Sequence, residues 1–116
     1  MLTVYISTYP LESLYKVTRK KHPIEQLINT YFIHLEKTIA ELSEQRSNQE
    51  LASICHRIKG SSSNTGAKVL SQKFQSLETA LKAGECRAPL NDWLKELEPT
   101  IESSKKEFEL FLSSLS

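Results

Sequence analysis

The stretch His56-Arg57-Ile58-Lys59-Gly60-Ser61-Ser62-Ser63-Asn64-Thr65-Gly66-Ala67-Lys68-Val69-Leu70 decides how the rest of the chain is read. Just upstream, Leu51 and Ile54 begin an apolar stripe that continues to Ile58, which is helix spacing. A helix turns about 100° per residue, so Ile58 lies about 200° round from His56. His56 therefore points away from the buried stripe, and Lys59, Gly60 and Ser63 share its face. An imidazole in the open has a pKa of about 6.5 and is largely neutral near pH 7. The face thus offers a nucleophile beside a cation, with a patch of bare backbone one turn further on. That combination reads as a site of phosphorylation.

These residues resemble the signature of the histidine-containing phosphotransfer (HPt) domain of bacterial phosphorelays, H-x-x-K-G-[small]-[small]-x-x-x-G-A-x-x-L. His56, Lys59, Gly60, Ser61, Ser62, Gly66, Ala67 and Leu70 fill it without a gap, and a second family element, Leu-Glu, stands at Leu77-Glu78. The resemblance covers Leu11 to Ser116, with its specific part between Leu51 and Glu78. Phe74 departs from the small residue or Cys found there in many members, which bears on packing and not on chemistry.

The resemblance implies phosphoryl transfer between histidine and aspartate side chains on separate domains. His56 accepts the group from a receiver-domain aspartate, through Nε2 by expectation, and passes it to a second receiver. Positioning and charge stabilisation carry most of such a reaction. The receiver supplies Mg²⁺ and a lysine, so this chain needs no cofactor of its own and no metal site. The partners implied are response-regulator receiver domains and a hybrid sensor histidine kinase. Lys59 balances the charge of about −2 that the phosphoryl group brings. Gly60 leaves room for the partner's loops. Ser61 and Ser62 let neighbouring helices pack closely, and one of their hydroxyls is a candidate donor to a phosphoryl oxygen. Glu78 or Gln75 sits at the height of His56 if the two helices are antiparallel, in reach of the other ring nitrogen; a surface helix residue is the alternative for Glu78. Arg57, Lys68 and Lys73 are candidates to draw in an acidic receiver pocket, or are simply solvated charges.

Composition narrows the field. A chain of 116 residues builds one core. Fifteen Lys and Arg stand against fourteen Asp and Glu, so no charge bias argues for nucleic acid or a membrane surface. Cys55 and Cys86 have neither disulfide-framework nor metal-ligand spacing and are expected as free thiols. Cys55 and His56 are adjacent in sequence and so do not face each other, which sets a Cys–His catalytic pair aside. Leu2–Ile6 is apolar but lacks the basic flank and length of a signal peptide. No apolar run approaches the ~20 residues of a membrane span, and a cytoplasmic location is expected.

The expected fold is all-α, an antiparallel up-down four-helix bundle over 23–116, preceded at 1–22 by an arm and a short extra helix. Residues 1–9 read as an ordered arm. Ser7 or Thr8 caps a helix from Pro10 to Arg19, with Leu11, Leu14, Tyr15 and Val17 as its apolar side. Arg19–His22 reads as a solvated basic connector. Pro23 opens the next helix, 23–45, striped by Ile24, Leu27, Ile28, Tyr31, Leu35, Ile39 and Leu42. Phe32 lies at the margin of that stripe and Ile33 opposite it; both need cover, from the N-terminal arm or from a partner, and cover within the chain is expected. His22 and His34 have no partner at ligand spacing.

Ser47-Asn48-Gln49-Glu50 reads as a capping box that starts the helix bearing His56, and Gly66 ends it. A helix over 67–83 carries Ala67, Leu70, Phe74, Leu77 and Leu81, and Gly84 closes it. From Pro89, a last helical region turns Leu90, Trp93, Leu94, Leu97, Ile101, Phe108, Leu112 and Leu115 inward, with a kink or break expected near Pro99. A monomer is expected, because no heptad seam is left over.

A histidine kinase is excluded, since the chain has no Gly-rich nucleotide motif. A kinase dimerisation domain would carry Glu and Pro where Arg57 and Ser61 stand. The alternative kept open is a docking module that binds receivers or kinases without carrying phosphate.

Overall fold

The computed structural model describes residues 4–115. Five helices follow one another: α1 (Tyr9–Thr18), α2 (Lys21–Leu42), α3 (Asn48–Thr65), α4 (Lys68–Lys82) and α5 (Asn91–Ser114). No strand occurs among the described residues.

The α3–α4 hairpin sets the geometry. At the start of α3 the Ser47 hydroxyl accepts the Glu50 N–H at 3.2 Å, and the Glu50 carboxylate accepts the Ser47 N–H at 3.4 Å. Two orphan donors are satisfied reciprocally, as the sequence predicts. At its end Gly66 adopts φ 99°, the left-handed conformation that a residue with a Cβ enters only under strain. The Gly66 and Ala67 N–H groups both return to the Ser62 carbonyl. Only Gly66 and Ala67 separate the two helices, so α4 must run back along α3.

The pairings confirm the direction. Asn48 Nδ2 donates to the Leu81 carbonyl at 3.2 Å, and Ser71 Oγ to the Lys59 carbonyl at 3.1 Å. Between α2 and α3, Tyr31 meets Ser62 while Glu41 meets Arg57, so these helices are antiparallel too. The last helix closes the bundle, with Phe108 edge-on to Phe32 of α2 and Trp93 tilted against Phe74 of α4. The core is the set of predicted stripes: Leu51, Ile54 and Ile58, Leu70, Phe74, Leu77 and Leu81, Ile24, Ile28 and Leu35, Leu97 and Phe108.

Several expectations need correction. The basic connector shrinks to Arg19 and Lys20, because α2 begins at Lys21 and takes in His22; it ends at Leu42 rather than residue 45. Pro23 is still within the first turn. Val17 is 82% exposed instead of inward. It lies about 120° round α1 from the fully buried Leu11, too far to share its contacts. Leu27 sits at the margin of the α2 stripe and is partly exposed. Thr8 occupies the N-cap of α1, yet its hydroxyl donates to the Glu12 carboxylate and makes no capping bond. Of the kink or break expected near Pro99, the break does not occur: α5 runs through it as one helix, with the proline on an exposed position.

The arm does not cover Phe32 and Ile33. Phe32 is covered by α5, through the Phe108 ring and Lys105, whose ammonium lies 5.5 Å from the ring centroid. Ile33 is 54% exposed. The arm crosses the α3–α4 turn instead. Ser7 N–H donates to the Gly66 carbonyl at 2.7 Å, Val69 N–H to the Tyr5 carbonyl at 3.1 Å, and Ile6 is buried beneath. Tyr5 N–H is held by the Glu107 carboxylate at 2.8 Å. Met1, Leu2, Thr3 and Ser116 lie outside the described residues, and with them the start of the apolar Leu2–Ile6 run.

Gly66 thus meets two demands: its φ excludes a side chain, and a Cβ there would run into the Ser7 carbonyl. Gly66→Ala is expected to lower unfolding free energy by about 1–3 kcal/mol, read from the urea midpoint. An unchanged midpoint would contradict this account of the turn.

Candidate functional site

Phe74, Leu77 and Leu81 define the buried side of α4, and Glu78 falls at the margin of that stripe, about 40° round from Phe74. The hairpin register puts it opposite His56 and Lys59. Its side chain is only 4% exposed, whereas the His56 side chain is 66% exposed.

A buried carboxylate must be partnered, and Glu78 has three partners. Lys82 Nζ lies 2.8 Å from Oε2, His56 Nδ1 lies 3.3 Å from the same oxygen, and Lys59 Nζ lies 3.3 Å from Oε1. The Lys82 hydrogen bond does most to hold the Glu78 carboxyl below its ordinary pKa. Burial pushes the other way, and Lys59 adds to the lowering. An ionised carboxylate only accepts hydrogen bonds. Facing it, Nδ1 of a neutral imidazole is the N–H donor, and the lone pair is left on Nε2. His56 thus has one nitrogen anchored and the other available on an exposed face.

Gly60 lies one turn along from His56, inside α3. A Cβ at this position would meet nothing within 4 Å. The glycine costs the helix about 1 kcal/mol relative to alanine, and no packing among the described residues requires it. Behind His56, Cys55 is fully buried, and its thiol is pushed up to about 12 by desolvation, with the charges of Glu78 and Cys86 adding to the rise. It stays protonated at neutral pH and is a poor nucleophile. Both cysteines are free thiols.

The other residues singled out in the sequence are dispersed. Gln75 is exposed, and its amide donates to Thr79 Oγ1 at 3.4 Å; the residue facing the imidazole is Glu78. The Ser62 hydroxyl is buried against Tyr31, whose phenol is raised by that burial, so Ser62 is spent on the core and cannot reach a phosphoryl group. Ser63 is exposed but borders the depression beneath the arm, with Ser7, Gly66 and Lys68. Arg57 turns toward α2 and pairs with Glu41 at 3.4 Å. Lys68 and Lys73 are exposed on α4.

Lys82 is the site residue that sequence reasoning missed. The signal was present, since a lysine four residues after a glutamate shares its helix face. Together with Asn48, Gln49, Ala52 and Ser53, it lines an open groove of about 570 Å³ beside His56. Asn48 holds the far end of that groove by donating to the Leu81 and Cys86 carbonyls.

Among the described residues, no cluster of His, Cys, Asp and Glu is arranged to hold a metal, and no helix is long and apolar enough to cross a membrane. A family model described as Hpt domain matches residues 24–112. No curated protein and no solved structure matches the chain.

The lowered pKa of Glu78 makes a signed prediction. A group whose folded pKa is depressed contributes stability that is complete above its ordinary value, here 4.5, and is lost as the pH falls through the folded value. Wild type is expected to exceed Glu78→Gln in urea midpoint at about pH 5, with the margin shrinking toward zero as the pH falls from there into strong acid. A margin that stayed undiminished in strong acid would contradict the ionised Glu78 described here.

Proposed function

The chain belongs to the Hpt domain family, whose activity is histidine phosphotransfer in two-component signalling, and on that premise we propose that His56 is its phosphoryl carrier. The observation that carries the reading is the contact of His56 Nδ1 with a buried carboxylate, which leaves Nε2 free on an exposed face. In this reading Nε2 attacks the phosphorus of a receiver's aspartyl phosphate. The N–P bond forms as the P–O bond to the aspartate breaks, and the aspartate leaves as a carboxylate.

The proton on Nδ1 stays in place through the attack, so the ring becomes cationic as the N–P bond forms. Glu78 stabilises that charge, the role that a buried carboxylate plays behind other nucleophile-and-imidazole pairs. Lys59 faces the developing charge on the phosphoryl oxygens. Mg²⁺, which binds phosphoryl oxygens in such transfers, belongs in this reading to the receiver. Return of the group to a second receiver is the same step reversed.

Hpt domains act together with receiver domains. We assign the partners here as response-regulator receivers and a hybrid sensor histidine kinase, met in the cytoplasm by a monomer. Gly60 supports a close approach: it weakens its own helix without any packing need among the described residues, which fits a surface that another protein's loops must reach.

Incubation with a phosphorylated receiver tests the reading. Acid-labile, base-stable label is expected on wild type and absent from His56→Gln, with helicity unchanged because His56 is exposed. Binding without label across a panel of receivers would favour the docking module instead. For Gly60, alanine is expected to raise unfolding free energy by about 0.5–1 kcal/mol, while glutamate slows transfer. Unchanged transfer in Gly60→Glu would remove the steric argument.

A further inference from the structure

We propose that Lys82 is a second phosphoryl-binding cation, parked on Glu78 while His56 is bare and transferred to the phosphoryl oxygens once His56 is loaded. The inference rests on His56 being the carrier and adds a residue to that site.

Charge comes first. The cluster of Glu78, Lys59 and Lys82 holds two ammonium groups on one carboxylate, so one positive charge exceeds what Glu78 needs. A phosphoryl group brings about −2, which a single lysine does not balance.

Position comes second. Lys82 Nζ and His56 Nδ1 converge on the same oxygen, Oε2, whereas Lys59 is held at Oε1. Lys82 and His56 also line one groove, of which Lys59 is not part.

Freedom comes third. The Lys82 side chain is 65% exposed against 24% for Lys59, so its four-carbon stem can swing while Lys59 stays packed. Loading His56 also supplies a trigger. As the ring turns cationic, its Nδ1–H competes more strongly for Oε2, and the Lys82 ammonium is released toward the new anion. Lys82 keeps all its protons and forms no covalent bond.

The test phosphorylates His56 with phosphoramidate, a small donor that leaves the receiver's Mg²⁺ and lysine out of the measurement. The ³¹P shift of the phosphohistidine is then followed against pH. The charged groups facing it are Lys59 on α3 and Glu78 and Lys82 on α4. Lys82→Ala is expected to raise the phosphoryl titration midpoint by roughly 0.3–0.7 pH unit, the size of one exposed ion pair, and Lys82→Arg to restore it. Against a receiver aspartate, the equilibrium share of label on His56 is expected to fall about two- to fivefold in Lys82→Ala. Lys82→Met keeps most of the stem along α4, so it separates loss of charge from loss of packing. Wild-type midpoint and partition in both uncharged variants would overturn the proposal and leave Lys82 a counter-ion of Glu78 alone. A wild type that takes no label from phosphoramidate or from any receiver would overturn the carrier reading, and this inference with it.

Discussion

The reversal at Gly66 and Ala67 leaves almost no slack between two long helices, and the register it imposes brings one acidic side chain of α4 against the histidine face of α3. From that constraint the site follows in sequence. Glu78 is carried into the seam by the burial of Phe74, Leu77 and Leu81 around it. A carboxylate in that position must find donors, and those within reach are the imidazole, Lys59 and Lys82. Ionised by those cations, it in turn fixes where the imidazole proton sits. A backbone conformation that favours glycine is thereby linked to the availability of one nitrogen lone pair.

The arm is the second consequence of the same turn. Hydrogen bonds from Ser7 to Gly66 and from Val69 to Tyr5 brace the reversal from outside, and Glu107 anchors the arm to α5. Turn, arm and last helix therefore form one connected support. Gly60 and Gly66 serve opposite ends: Gly66, just past the end of α3, is required by the chain's own packing, while a Cβ on Gly60 would meet nothing among the described residues. That contrast separates a glycine needed for folding from one whose proposed use is to leave space for a partner.

Much of this was legible in the sequence, for identifiable reasons. The capping box at Ser47 and Glu50, the left-handed stop at Gly66 and the stripe from Ala67 to Leu81 are local signals, and local signals fix helices. Short connections then fix antiparallel neighbours. What failed or stayed open was long-range or depended on competition between partners. Whether Phe32 lay under the arm or under α5 depends on how distant segments close. Ser62 could be matched to a phosphoryl group only until Tyr31 took its hydroxyl. The choice between Gln75 and Glu78 turned on which α4 residue meets the seam, and a three-residue difference is most of a helical turn. Of the kink or break expected at Pro99, the break did not come: Leu97, Thr100 and Phe108 are buried on either side of it along one continuous helix.

The central claim is that a buried carboxylate on Nδ1 makes Nε2 of His56 the reactive atom. Its most direct test is the ¹⁵N spectrum of the imidazole in histidine-labelled protein, before and after phosphorylation. The account predicts the Nδ1–H tautomer in the free protein and phosphorus coupled to Nε2 in the loaded one, with the Nδ1 proton retained. A proton on Nε2 of the neutral ring, or phosphorus on Nδ1, would contradict it.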